Sequence, residues 1–285
     1  MIRCEVETQL NKIKNLSTLP NVASHVIQLT QNPKSSALEV GKAISQDTAL
    51  TSKVLRIANS SFYGFPREIT TIHSAIVVLG FANIRNLVIT ASIADVFPSD
   101  AENDFFNREQ FWRHSLACGI ASKLVAKIAS IENREEAFVW GLLHDVGKIV
   151  LHANFTDYFV EAVKLAHDNG ICFREAEEEV FGISHAEVGG IVADGWNLPP
   201  SLIKCIRFHH SPDQAKESMR IASIVHTADI LCSCIGLAAS RDQLIPCINE
   251  QSWNLLGLNG KILRALFHQI EAELEKATAF FTEVK

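Results

Sequence analysis

The sequence has no CxxC pair, no long apolar run and no surplus of positive charge, and each absence closes off a class of function. Seven cysteines are scattered through 285 residues. The nearest couple, Cys232 and Cys234, are separated by a single residue. An odd number at such spacings fits reduced core thiols better than a disulfide framework. The formal net charge of -6 argues against broad electrostatic binding of DNA or RNA. No segment approaches the roughly 18 uninterrupted apolar residues of a membrane span. The opening MIRCEVETQLNKIKNL carries charges where a secretory leader needs an apolar stretch. A soluble, cytoplasmic chain without membrane association is expected.

Also missing are period-2 strand patterns, internal repeats and low-complexity tracts. What remains is helical punctuation, so the fold is expected to be all-α. Ser36-x-x-Glu39 and Ser184-x-x-Glu187 read as capping boxes. Asp47 and Asn107 read as N-caps, and Pro200 suits a first helical turn. Gly80 and Gly170 read as helix stops. The acidic, polar stretch from Pro98 to Asp104 marks a boundary between two helical parts. VWGLLHDVGKIVLH, residues 139–152, reads as a core helix with His144, Asp145 and Lys148 in its middle.

That placement demands partners, because burying an unpaired carboxylate beside an imidazole is costly. Other polar residues inside apolar helices supply candidates: His114, His185, the adjacent His209 and His210, and Asp229. Imidazoles and carboxylates together suit Mn, Fe, Ni or Zn, and the mixture disfavours Ca or a thiolate site. Helical bundles build such sites from side chains on separate helices. In two-metal sites the ions, about 3.5–4 Å apart, share a bridging ligand. Asp145 is placed to be that bridge, with Lys148 one turn on and on the same helix face. His25, His73, His152, His167, His226 and His268 are read as structural or surface residues, His226 being the nearest to a candidate because it lies one turn before Asp229. Arg56, Arg67 and Arg85 read as a solvated face rather than an anionic pocket.

His114, then His144-Asp145, then Asp229, match the pattern of the HD superfamily of metal-dependent phosphohydrolases. HDVGK, with the later His185 and His209-His210, resembles its HD-GYP branch. ISQDTALTSKVLRIANSSFYG and ITTIHSAIVVLGFANIRNLVI, preceded by LSTLPNVASHVIQL, resemble the HDOD family, the HD-related output domains of bacterial signalling proteins. The resemblance covers roughly residues 10 to 235. It implies a multi-helix bundle: an N-terminal helical part over 1–98, an HD-type metal-binding core over 105–240, and C-terminal helices over 241–285 packing on that core. It implies a mono- or dinuclear centre of a divalent transition metal (Fe, Mn or Ni, with Zn and Mg in the wider set). The ligands implied are His114, His144, Asp145, His185, His209, His210 and Asp229. The biological role implied is signal transduction, with a signalling protein or a small phosphorylated ligand as partner. The alternative is an active phosphohydrolase on a nucleotide or other phosphate ester, with Asp145 and Lys148 in catalytic roles. Two departures stand out. HHSPDQAKES follows where cyclic-di-GMP phosphodiesterases carry their Gly-Tyr-Pro motif, and Gln110 stands where trimetal members have Glu. In the other direction, many HDOD domains have lost several ligands, whereas this chain keeps all seven and the lysine.

Overall fold

The computed structural model describes residues 3, 6, 8, 21–59, 65, 67–96, 105–132, 134–238 and 244–284. Helices dominate, and no β-strand occurs among the described residues. The all-α expectation holds. Two compact units form, one of Met1–Leu16 with Pro98–Glu271, the other of Ser17–Phe97 with Ala272–Lys285. The Pro98–Asp104 boundary stretch lies outside the described residues.

In the second of these units, α1 (Asn21–Gln31), α2 (Ala37–Ser45), α3 (Thr48–Asn59) and α4 (Ile72–Val96) pack together. Ser36 and Glu39 form the expected reciprocal capping box on α2. The Asp47 carboxylate accepts from the Leu50 amide at 2.9 Å. The core is aliphatic: Ile27, Ile44, Ile57, Ile84, Ile89 and Ile93 are all essentially out of solvent, and each such side chain contributes about 1.5–3 kcal/mol on burial. Ile72–Ile93 has the length and hydropathy of a membrane span. Gly80, at φ 79 and ψ 167, breaks α4 into two arms, and neither reaches the roughly 20 residues needed to cross a bilayer. Over half of that stretch is buried against protein. Arg56 and Arg67 are exposed, as a solvated face requires, while Arg85 is half-buried.

The other unit carries α5 (Arg108–Ile128), α6 (Arg134–Leu143), α7 (Val146–Asn154), α8 (Thr156–Asn169), α9 (Phe173–Phe181), α10 (His185–Gly195), α11 (Pro200–Phe208), a 3-10 turn (Pro212–Ser218), α12 (Met219–Cys234), α13 (Glu250–Leu255) and the start of α14 (Gly260–Val284). Asn107 caps α5, Ser184 and Glu187 box α10, and Pro200 sits in the first turn of α11. Gly170 ends α8 in the left-handed region. The helix pairs that matter meet at glycines. A Cβ on Gly141 would lie 2.2 Å from the Cys118 carbonyl oxygen, and one on Gly147 would lie 1.9 Å from that of His185. So α6 abuts α5, and α7 abuts α10, backbone against backbone.

One expectation fails in detail. Residues 139–152 are not a single helix: α6 ends at Leu143, α7 begins at Val146, and His144 and Asp145 form the turn between them. Asp145 is the residue before α7, at φ -93 and ψ 9. The apolar pattern runs through the break without interruption because both helices are buried all round, and periodicity carries no signal where every face is apolar.

Candidate metal centre

The centre lies within the unit built on Pro98–Glu271. His114 comes from mid-α5, His144 and Asp145 from the α6–α7 turn, and Lys148 from the first turn of α7. His185 opens α10, His209 and His210 follow α11, and Asp229 lies on α12. All eight residues meet in one place. His114, His144, Asp145, His185 and His209 are at most 2 % exposed, while His210 and Asp229 retain partial exposure.

Four of the imidazoles are oriented by the same device. The Nδ1–H of His114 donates to the Leu237 carbonyl at 2.5 Å, that of His144 to the Gly141 carbonyl at 2.7 Å, and that of His209 to the Ile206 carbonyl at 2.8 Å. His185 donates through Nδ1 to a Glu177 carboxylate oxygen at 2.5 Å. In each case the outer nitrogen is occupied and Nε2 faces inward. This is the arrangement found in metal-ligating histidines, whose second nitrogen is tied to a carbonyl or carboxylate.

Asp145 divides the inward-facing groups. Its Oδ2 is 3.6 Å from His114 Nε2 and 3.5 Å from His144 Nε2, while Oδ1 is 3.2 Å from His185 Nε2 and 3.8 Å from His209 Nε2. On the first side Asp229 Oδ1 stands 3.3 Å from His114 Nε2 and 3.9 Å from His144 Nε2. On the second side His185 Nε2 is 3.4 Å from His209 Nε2 and 3.0 Å from His210 Nε2. Donor atoms of His114, Cys118, His144 and Asp229 all lie within 4.8 Å of one another, as do those of His185, His209 and His210. Lys148 Nζ pairs with Asp145 Oδ2 at 2.7 Å and lies 5.9 Å from the centre of the Phe173 ring.

The fit to a cation can be tested on a buried atom. His144 Nε2 is buried and has no hydrogen-bond partner among the described residues, whereas Asp145 Oδ1 faces His185 Nε2 at 3.2 Å. An orphaned buried polar atom costs about 1–3 kcal/mol, and an imidazole nitrogen beside carboxylate oxygens is of the kind that binds divalent transition metals. The donor set therefore fits such an ion.

Electrostatics follow from crowding in a dry site. Burial pushes the Asp145 and Asp229 carboxyls up, but the surrounding imidazoles, and Lys148 in the case of Asp145, overcome it, so both are held well below the ordinary carboxylate range. Burial depresses His144, His209 and His210 and keeps them neutral. His185 goes the other way: burial opposes its charge, but the Glu177 carboxylate and Asp145 raise it to about 9. Burial also opposes charge on Lys148, yet Asp145 and Asp229 push its pKa up, so it stays an ammonium.

Sequence reasoning missed Glu177, which is 0 % exposed and also accepts from the His185 amide at 3.0 Å. A signal existed. Buried Phe173, Ala176, Val180 and Phe181 define the apolar stripe of α9, and Glu177 falls inside it. It also missed the nearness of Cys118 to the site, although Cys118 follows His114 by one helical turn. Buried thiols were expected: Cys118, Cys205 and Cys232 are buried, while Cys234 and Cys247 are exposed. His226 is structural. Its Nδ1 donates to the His209 carbonyl at 2.8 Å and its Nε2 accepts from the Asn249 amide at 3.0 Å, so it braces the turn that presents His209 and His210. His152 is buried and stacks on Phe106, whereas His25, His73, His167 and His268 are exposed.

The HDOD domain family matches residues 16–212. The chain belongs to the HDOD family. Among solved structures it resembles an HDOD domain protein from Geobacter sulfurreducens, with 27% identity and a TM-score of 0.76 over 96% of this chain and 99% of the other. It also resembles a candidate phosphohydrolase from Shewanella amazonensis, with 25% identity and a TM-score of 0.72 over 94% and 97% of the two chains. An uncharacterized protein of Treponema pallidum is 25% identical over 225 residues, which are 76% of this chain. The match spans 43% of that relative's length.

Proposed function

We propose that this HDOD chain is a bacterial signal-transduction protein whose helical core holds a mono- or dinuclear centre of divalent transition metal. The observation that carries the reading is the Asp145 carboxylate, whose two oxygens face two separate sets of imidazole nitrogens. His114, His144, Asp145 and Asp229 would hold one ion, and His185, His209, His210 and Asp145 a second. A bound divalent ion supplies Lewis acidity and neutralises charge on a phosphoryl oxygen. Glu177 and the carbonyls of Gly141, Ile206 and Leu237 keep each Nε2 turned inward. Lys148 holds positive charge beside Asp145.

Burial favours sensing or signalling over rapid turnover. Most of the donor groups are closed to solvent, and a ligand would enter past the partly exposed His210 and Asp229. The partner in this reading is a signalling protein or a small phosphorylated ligand. The second reading, a phosphohydrolase of nucleotides or other phosphate esters, is favoured by the complete donor set with an ammonium at its edge.

Elemental analysis of protein purified without chelator or histidine tag tests the metal. We expect at least one ion per chain, lost in His144→Ala. Less than about a tenth of an equivalent after loading with Mn, Fe and Ni would refute the centre. Metal-loaded protein should hydrolyse cyclic-di-GMP weakly or not at all, since HHSPDQAKES lacks the motif linked to that activity. Turnover near the enzyme median of about 10 per second, on that or another phosphate ester, would establish the second reading.

A further inference from the structure

The connection between α12 and α13 touches an imidazole on each side of the centre. The Gly141 and Ile206 carbonyls lie three residues before His144 and His209, so those rings are oriented by the helices that present them. His114 is held differently: its Nδ1 donates to the Leu237 carbonyl, 123 residues further along the chain. The end of α12 places that carbonyl. Gly236 adopts a left-handed φ of 76. Its amide donates to the Ser233 carbonyl at 3.1 Å, and the Leu237 amide donates to that of Cys232 at 3.0 Å. This pair of bonds is a Schellman closure, which favours a residue free to take positive φ.

The other end of the connection reaches the second side. The Asn249 amide donates to His226 Nε2 at 3.0 Å, and His226 Nδ1 donates to the His209 carbonyl at 2.8 Å. One buried ring thus joins the residue before α13 to the turn that carries His209 and His210. The joint is fixed alongside. Asn249 Oδ1 accepts from the Ser252 amide at 3.1 Å, and the buried hydroxyls of Ser252 and Ser223 meet at 2.8 Å, tying α13 to α12. Gly236, Leu237, His226 and Asn249 all lie beyond residue 212, where the family match ends.

We infer that the α12–α13 connection regulates metal affinity at both positions: Gly236 acts on the first through Leu237 and His114, and Asn249 acts on the second through His226 and His209. The inference rests on the metal reading above. Contacts that aim a ligand govern metal affinity by about 10- to 100-fold. Coupling is reciprocal, so an ion that favours the aimed imidazole also favours the closed connection. An event that loosens the connection therefore releases metal, and metal uptake closes the connection in turn.

Chelator competition with cobalt, in full chains that keep one position each, tests the two arms. His210→Ala reports the first position, and Asp229→Asn reports the second. A side chain at residue 236 enters open space, so backbone conformation alone is perturbed there. Gly236→Val, which resists positive φ, should weaken the first position about 10-fold and leave the second unchanged. Gly236→Asn, which tolerates that φ, should stay near wild type. His226→Asn keeps a donor for the His209 carbonyl but is too short to reach the Asn249 amide. It should weaken the second position about 10-fold and spare the first. Hydrogen exchange on the unmutated chain needs no variant to fold: zinc should slow exchange of the Leu237 and Asn249 amides relative to chelated protein. Several results overturn the coupling and leave the metal centre standing: unchanged affinity for Gly236→Val or His226→Asn at its own position, equal loss at both positions, Gly236→Asn as weak as Gly236→Val, or exchange that ignores bound zinc. A wild type that binds neither cobalt nor zinc defeats both.

Discussion

Removing Asp145 separates the two interactions that meet on its carboxylate. Oδ2 pairs with Lys148 at 2.7 Å, and Lys148 is only 8 % exposed. Asp145→Ala therefore strands a buried ammonium, and breaking a buried pair from one side costs about 3–5 kcal/mol. Replacing both partners with apolar groups removes that penalty, so Asp145→Ala/Lys148→Met without metal should be close to wild type in stability. Metal adds a linkage contribution of about 2.7 kcal/mol when free ion exceeds its Kd a hundredfold. In a domain of this size that is a Tm rise of roughly 5–10 °C. Wild type and Lys148→Met should show the rise, and the double variant should lose most of it. The assay is a set of thermal melts on four proteins, each in chelator and in metal. A full metal-induced rise in the double variant would show that Asp145 is not a ligand. A cost below about 1 kcal/mol for the single variant in chelator would show that the Asp145–Lys148 pair is not buried in solution.

Glu177→Gln should weaken metal binding at the His185, His209 and His210 cluster by about 10- to 100-fold, because the amide accepts the His185 Nδ1 proton less strongly; unchanged affinity in a chelator competition refutes the role. Metal-free protein should lose stability as pH falls from about 7 to 5, because His144, His209 and His210 are depressed in the fold and stabilise it only above the unfolded value of about 6.5. His185, raised to about 9, opposes them: its contribution is complete below about 6.5 and fades as pH rises through 9, and Glu177→Gln should flatten that alkaline decline in Tm. Gly147→Ala forces a methyl into the His185 carbonyl, so a loss of at least about 1–3 kcal/mol is expected in denaturant melts; a neutral result would mean that α7 and α10 are further apart than described.

The helix ends were legible because capping is local chemistry. Ser36, Asp47, Asn107, Ser184, Pro200 and Gly170 each perform the role their neighbours imply. The site residues were legible as polar residues that interrupt apolar runs, since a buried His or Asp needs a reason. The break at His144-Asp145 was not legible, because helices buried on every face leave no phase to lose. Glu177 was obscured by the run Glu177, Glu178, Glu179 in α9, where composition suggests a solvated face and only the phase of the stripe singles out the first. The cysteines misled for a related reason: Cys118 is buried as expected, but the lining of the site beside it comes from α12 and the α6–α7 turn, more than 20 residues away in sequence.

The orientation of the imidazoles bears on how the centre would respond to losing its metal. His114, His144 and His209 are each held through Nδ1 by a backbone carbonyl, and His185 by Glu177. None of these contacts involves an ion. Geometry is therefore set by the protein, and in the proposed reading an ion would contribute charge and affinity rather than the shape of the site. Small zinc domains behave differently, because their ligands have no ordered arrangement until the metal binds and the apo chain is unfolded. Here the large core and the Lys148–Asp145 pair supply what those domains lack. Chelation should leave the far-ultraviolet circular dichroism of the chain unchanged while lowering Tm. Loss of helical signal on chelation at 25 °C would mean that metal organises the helices around the centre, and that the Nδ1 contacts follow from binding instead of preceding it.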